Sequence, residues 1–157
     1  MNNHKNAVTI LMAEDDPDDR LLAEEALAEG QVSHPIQFVE NGDELLDYLN
    51  RRGQYRNRRR FPRPGIILLD LNMPKKDGRE ALSEIKTDPK LRQIPVVVLT
   101  TSTAEEDILR SYDLGANSFI SKPLTFEGLV EVMKLLGHYW LEIVELPPER
   151  AQNHDES

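Results

Sequence analysis

Cysteine is absent from the 157 residues, which excludes disulfides, thiolate nucleophiles and cysteine-based zinc sites and fits a reducing, cytoplasmic setting. Long apolar runs are absent as well: none exceeds five or six residues, and the first six, MNNHKN, are polar. Neither a membrane span nor a signal peptide is therefore expected. Acidic residues are missing from positions 51–63, where Arg51, Arg52, Arg56, Arg58, Arg59, Arg60 and Arg63 make up seven of the 19 basic residues. The formal net charge is −9, and outside that segment 12 basic residues face 28 acidic ones, a net of −16. Such a field repels nucleic acid over most of the surface, so no nucleic-acid partner is expected.

What is present reads as one domain, the length being right for a single core. Residues 8–13 form an apolar run rich in strand formers, followed by acidic residues and by Pro17, well placed to open a helix. Leu21, Leu22, Ala26 and Leu27 recur at helical spacing until Gly30. Residues 35–39 make a short strand, Asn41-Gly42 a turn, and Leu45, Leu46 and Leu49 the buried face of a second helix. After the basic connection, residues 66–71 form a second run, apolar except for Asp70 near its end, as a strand covered on both faces would. Gly78 precedes a third helical pattern (Ala81, Leu82, Ile85), and a fourth strand runs through Val96, Val97, Val98 and Leu99 to Thr100. A helix over 104–114, a short strand over 118–121 and a last helix from about 125 to 144 complete five strand-helix units. The alternation predicts a doubly wound α/β fold: a parallel sheet with helices on both faces and right-handed crossovers. The domain spans 7–146, with disordered ends expected at 1–6 and 147–157.

In such sheets function sits at the carboxyl ends of the strands. There the first strand carries Glu14, Asp15 and Asp16, the third Asp70, the fourth Thr100 and the fifth Lys122. Carboxylates so gathered repel one another unless a cation or proton intervenes, and oxygen-only ligands favour magnesium, calcium or manganese over zinc. Magnesium held by one or two carboxylates commonly completes its shell with water and phosphate oxygens, so the cleft anticipates a phosphate. An aspartate can attack a phosphoryl group to give an acyl phosphate once charge on the transferring oxygens is neutralised. A nearby hydroxyl then gains a contact that the unmodified state lacks, which can shift a conformational equilibrium.

Four separated segments, ILMAEDDP (10–17), ILLDLNMPKKDG (67–78), IPVVVLTT (94–101) and GANSFISKP (115–123), resemble response-regulator receiver domains. The resemblance implies the flavodoxin-like strand order 2-1-3-4-5 and a role for each matching residue. Glu14 and Asp15 match the acidic pair, with Asp15 the direct Mg2+ ligand and Glu14 acting through water. Asp70 matches the phosphoacceptor and a metal ligand; Asn72 would give its main-chain carbonyl to the metal. Thr100 matches the switch hydroxyl, Lys122 the phosphate-binding lysine, and Lys122-Pro123 a bond usually cis in the family. Phe119 departs from the pattern, standing where many receivers carry a switch tyrosine, and a phenyl ring can rotate inward without hydrogen bonding. Thr101 stands where a small residue is common, and its bulk is expected to slow water's access to the phosphoryl group. More narrowly, RRGQYRNRRRFPRPG, LLDLNMPKKDGRE and the ending Tyr139-Trp140-Leu141-Glu142 resemble the small regulators paired with cyanobacterial and bacterial phytochrome histidine kinases. That likeness implies a sensor histidine kinase as partner, a homodimer, no output domain, and a signalling switch rather than an enzyme on external substrates.

Blander readings stay open. Acidic runs often serve as solvated loops or helix caps, and Thr100 could be a strand-end hydroxyl bonded to backbone. The arginine segment reads as a flexible solvated loop or an acidic-partner contact, with Tyr55 and Phe61 interleaved as base-stacking platforms would be. The stripe of Leu136, Tyr139, Trp140 and Ile143 serves the core or a dimer face. His4, His34, His138 and His154 lack ligand spacing. A flavin protein of this fold would put a hydroxyl- or glycine-rich loop after the first strand, where this chain has carboxylates. An aspartyl phosphatase would carry Asp-x-Asp after its first strand, whereas Asp70-x-Asn72 lies on the third. A nucleic-acid module would show a steep salt dependence of binding.

Overall fold

The computed structural model describes residues 8–71, 73, 75–100, 108, 110 and 112–138. Five parallel strands lie in the order β2-β1-β3-β4-β5: β1 (Ile10–Ala13), β2 (Ile36–Val39), β3 (Ile66–Leu69), β4 (Val96–Thr100) and β5 (Ser118–Ser121). Four helices are complete among the described residues: α1 (Pro17–Glu29), α2 (Gly42–Leu49), α3 (Gly78–Thr87) and α4 (Phe126–His138). Of the helix expected over 104–114, residues 108, 110, 112 and 113 are helical, 114 lies in a turn, and 104–107, 109 and 111 fall outside the described set. The two expected disordered ends, the Tyr139, Trp140 and Ile143 part of the apolar stripe, and Thr101 also lie outside it. No described helix is long and apolar enough to cross a membrane.

The unbroken apolar runs follow from two-sided burial. Successive side chains of a strand point to opposite faces, so Leu11, Ile67, Leu69, Val96 and Val98 join Leu45, Leu82 and Ile85 of α2 and α3 in one cluster. Ile10, Met12, Ile66, Leu68, Val97 and Leu99 join Ala23, Ala26, Val130 and Met133 of α1 and α4 in the other. Every residue of β1, β3 and β4 is buried, whereas the edge strands are only partly so. Each of the first three helices begins on a side-chain cap: Asp16 accepts from the Asp18 amide, Asn41 from Glu44, and Asp77 from Arg79 and Glu80. These caps set where each chain turns away from its strand end and stabilise each helix by about 1 kcal/mol.

The basic connection is more ordered than its composition implies. A short 3-10 turn (Gly53–Tyr55) buries Tyr55, and its ring meets Tyr48 of α2 and Phe61 at centroid distances of 5.2 and 5.0 Å. The Tyr48 hydroxyl donates to the Pro62 carbonyl at 2.8 Å, and the Asn57 side chain accepts from the Arg59 and Arg60 amides. Tyr55 and Phe61 therefore anchor the segment to the core and are not base-stacking platforms. The flexible-loop reading is corrected accordingly, since three rings bury more apolar surface together than a solvated loop would keep.

Burial pushes the phenols of Tyr48 and Tyr55 up to about 12. Unfolded, each loses its proton near pH ~10. Between about pH 10 and 12 the native form thus holds more protons, and stability falls as pH rises, by up to ~1.4 kcal/mol per pH unit for each phenol. Tyr48→Phe should cost about 1 kcal/mol at neutral pH through the lost hydrogen bond, and its stability should fall less steeply with alkali. Urea midpoints measured from neutral to strongly alkaline pH check this; equal alkaline slopes in the two proteins would sink it.

Candidate functional site at the carboxyl edge

Parallel pairing brings every strand's carboxyl end to one edge, and the register there places Ala13 opposite Leu69 and Thr100 opposite Ser121. The Asp70 amide donates to the Ala13 carbonyl, the Glu14 amide to Val39, and the Lys122 amide to Thr100, so the polar residues leave the sheet tied to it. Asp70 and Glu14 are buried, Glu14 at 1% exposure, while Asp15 is exposed. Carboxylate oxygens of Glu14, Asp15 and Asp70 all lie within 4.8 Å of one another. The Thr100 hydroxyl donates to Asp70 Oδ1 at 3.0 Å, and Lys122 Nζ donates to Glu14 at 2.5 Å, Asp19 at 3.2 Å and Asp70 Oδ2 at 3.3 Å. Thr100 is thus bonded to a side chain across the sheet, which answers the alternative of a purely backbone role.

Burial raises the Glu14 carboxyl to about 7; the Lys122 hydrogen bond and charge oppose that rise, and the Asp70 charge adds to it. Burial would depress Lys122, but its bond to Glu14 and the charges of Asp70 and Glu14 outweigh burial and raise it. One ammonium faces four carboxylates (Glu14, Asp15, Asp19 and Asp70). The surplus of negative charge and the all-oxygen donor set suit a hard divalent cation.

Sequence reasoning places Glu14, Asp15, Asp70, Thr100 and Lys122 at one edge, and they converge. Asp19, the third partner of Lys122, is a residue that reasoning does not single out. The signal is there: Asp16 as cap and Pro17 at the first helical position put Asp19 in the opening turn of α1, above the strand end. Asp16 serves as that cap and also donates its amide to Glu14. Phe119 lies half-buried on β5 against the α2/α3-side cluster, its amide donating to the Tyr112 hydroxyl at 3.2 Å. Asn72 lies outside the described residues. Lys122-Pro123 is trans, there being no cis peptide among the described residues, which corrects the family-based expectation. The two forms of an X-Pro bond differ by only about 0.5–1 kcal/mol, so sequence alone does not choose between them.

The connection that follows Asp70 is held by close backbone approach. The Gly78 amide donates to the Leu71 carbonyl, and a Cβ at Gly78 would stand 2.4 Å from the Asp70 carbonyl oxygen and 2.7 Å from Leu71 Cα. Backbone cannot rotate aside as a side chain can. Gly78→Ala is expected to lose about 1–3 kcal/mol in urea unfolding, and an unchanged midpoint would show that α3 slides away freely.

Fold and site together define a doubly wound α/β protein with an acidic, lysine-braced pocket around a buried aspartate. The response regulator receiver domain model matches residues 10–134. The chain is 43% identical over 138 residues to response regulator Rcp1 of Synechocystis sp., covering 88% of this chain and 92% of that protein. Among solved structures it is similar to the phosphorylated cyanobacterial phytochrome response regulator RcpA, with TM-score 0.84, 45% identity, and 91% and 100% of the two chains covered. It is also similar to the Mn(2+)-bound form of Rcp1, with TM-score 0.80, 41% identity, and 90% and 99% covered. The chain belongs to the response regulator receiver domain family.

Proposed function

We propose that this chain is a phosphorylation switch: Asp70 accepts a phosphoryl group from a sensor histidine kinase of the phytochrome type, with Mg2+ as the working ion. The observation that carries this reading is the double engagement of Asp70, one carboxylate oxygen held by the Thr100 hydroxyl and the other by Lys122. An Asp70 oxygen would form the new bond to phosphorus as the donor's bond to phosphorus breaks, the electron pair leaving with the donor. Lys122 is placed to meet charge on the transferred oxygens, and Thr100 to donate to one of them afterwards. Asp15 and Asp70, with Glu14 behind water and the Asn72 carbonyl, are the proposed ligands. A bound divalent ion supplies charge neutralisation at the carboxylates and at the phosphoryl oxygens. Phe119, already turned against the core, would read the change by packing, since it has no hydroxyl to bond. The likeness to RcpA, a cyanobacterial phytochrome response regulator, supports the phytochrome pairing; a cytoplasmic location, a homodimer and slow loss of the phosphoryl group by self-hydrolysis are part of the same proposal.

Incubation with Mg2+ and a small-molecule phosphodonor should add one hydroxylamine-labile phosphoryl group by intact mass, on the peptide that contains Asp70. Chelation should prevent the gain. Label on a serine, threonine or histidine, or a gain indifferent to chelation, would overturn the reading.

A further inference from the structure

Lys122 is aimed by hydrogen bonds more than by packing. Its amide donates to the Thr100 carbonyl, which fixes the start of the side chain, and that side chain is 12% exposed. Between amide and ammonium runs a flexible four-carbon stem. A cavity of about 240 Å³ lies beside it, walled by Met12, Leu22, Leu99, Pro123 and Leu129, with Lys122 and Asp19 both on its lining. Room of that size lets the stem swing, so the position of the charge depends on what its three N–H donors meet.

The donors meet three carboxylates. Glu14 at 2.5 Å and Asp70 Oδ2 at 3.3 Å lie at strand ends, whereas Asp19 at 3.2 Å stands on the first turn of α1. That turn is tied down: Asp16 caps it, and Arg20, the next residue, donates Nη1 to the Glu14 carbonyl at 2.8 Å. Among the described residues the Asp19 carboxylate meets no cation but Lys122. An ammonium left to the two strand-end carboxylates would close on both, and on Asp70 it would cover the oxygen that has to attack phosphorus. Instead it stands off Asp70, beyond the ~2.7–2.9 Å usual for an ammonium on a carboxylate. We infer that Asp19 is a positioning residue for phosphoryl transfer, its acceptor oxygen holding the Lys122 ammonium off Asp70 until the phosphoryl group arrives. The inference rests on the reading of Asp70 as phosphoacceptor.

The test reads the rate of mass gain from acetyl phosphate at saturating Mg2+ in the full chain. Asp19→Ala is expected to slow the gain about tenfold, since small errors of aim at a reacting centre are costly. Asp19→Asn keeps an acceptor oxygen in place without the charge and should recover most of that loss, to within about threefold of the parent. In a Lys122→Met background, Asp19→Ala should change the rate by less than about twofold, because a residue acting through Lys122 has nothing left to aim. Asp18→Ala removes the same charge from the same turn and should stay within about twofold of the parent. In metal-free protein the 15N signal of the Lys122 ammonium should move in Asp19→Ala and stay near the parent's in Asp19→Asn. Asp19 is partly exposed, so each variant should fold, which melting temperatures check. A parent that gains no phosphoryl group would sink the reading of Asp70 and this inference with it. With the parent active, any of four results overturns the inference alone: an unchanged or faster rate in Asp19→Ala, an equal loss in Asp19→Asn or Asp18→Ala, a full further loss in the Lys122→Met background, or an unmoved ammonium signal.

Discussion

Asp70→Asn is expected to abolish phosphoryl incorporation and, without divalent ions, to make the protein more stable than the parent. The two effects have one origin. Asp70 is buried at 7% exposure beside Glu14 and Asp15, and Lys122 bridges Glu14, Asp19 and Asp70. Replacing the carboxylate by an amide of the same size keeps an oxygen for Thr100 or Lys122 and removes one negative charge from a cluster that has too many. Like charges a few ångströms apart near a protein surface repel by up to ~4 kcal/mol; screening and the weakened Lys122 contact reduce this to a net gain of about 1–2 kcal/mol. Adding Mg2+ should reverse the comparison. A ligand that binds only the native state stabilises it by RT ln(1 + [L]/Kd), and the parent, with one more carboxylate, binds more tightly. Melting temperatures of the two proteins across a magnesium titration should therefore converge or cross. Parallel curves would show that Asp70 takes no part in holding the ion.

The part of this architecture that is legible in the sequence is the part governed by local rules. Residues 66–69 and 96–99 are apolar on both faces because helices cover both faces, whereas a strand with one face in water would alternate polar and apolar residues. Ser118–Ser121 appears as expected, and Pro17 and Gly78 open helices as their positions imply. Parallel pairing then converts strand-end position into spatial proximity, which is why residues as far apart as Glu14 and Lys122 belong to one pocket on strand-end position alone. The basic connection defeats the same reasoning because its order comes from Tyr48, on a different element, closing over Tyr55 and Phe61. Composition records seven arginines but not the three rings that hold them. Asp19 escapes notice for a related reason: its role depends on the angle at which α1 leaves β1, set by the Asp16 cap, and Asp18 beside it is equally acidic.

Lys122→Met tests the same electrostatic balance from the other side, and its effect on stability should have the opposite sign. Met keeps most of the apolar stem and removes the ammonium that meets Glu14, Asp19 and Asp70. Glu14 is then left buried at 1% exposure without the cation that bridges it to Asp70. Removing one partner of a buried ion pair costs about 3–5 kcal/mol; Asp19, being partly exposed, regains water, so a loss of about 2–4 kcal/mol in the metal-free protein is expected. Magnesium should restore more of that loss in Lys122→Met than it adds to the parent, because the ion takes over a neutralisation that the lysine no longer provides. Phosphoryl transfer is a different matter. A cation that offsets the carboxylates before reaction does not replace a donor aimed at the oxygens that gain charge during it, and losing such a donor typically slows a reaction about 100- to 1,000-fold. The rate of mass gain from a small phosphodonor at saturating magnesium separates the two contributions. Recovered stability with a transfer rate still reduced is the expected pattern; recovery of both would reduce Lys122 to a counter-ion for the resting pocket.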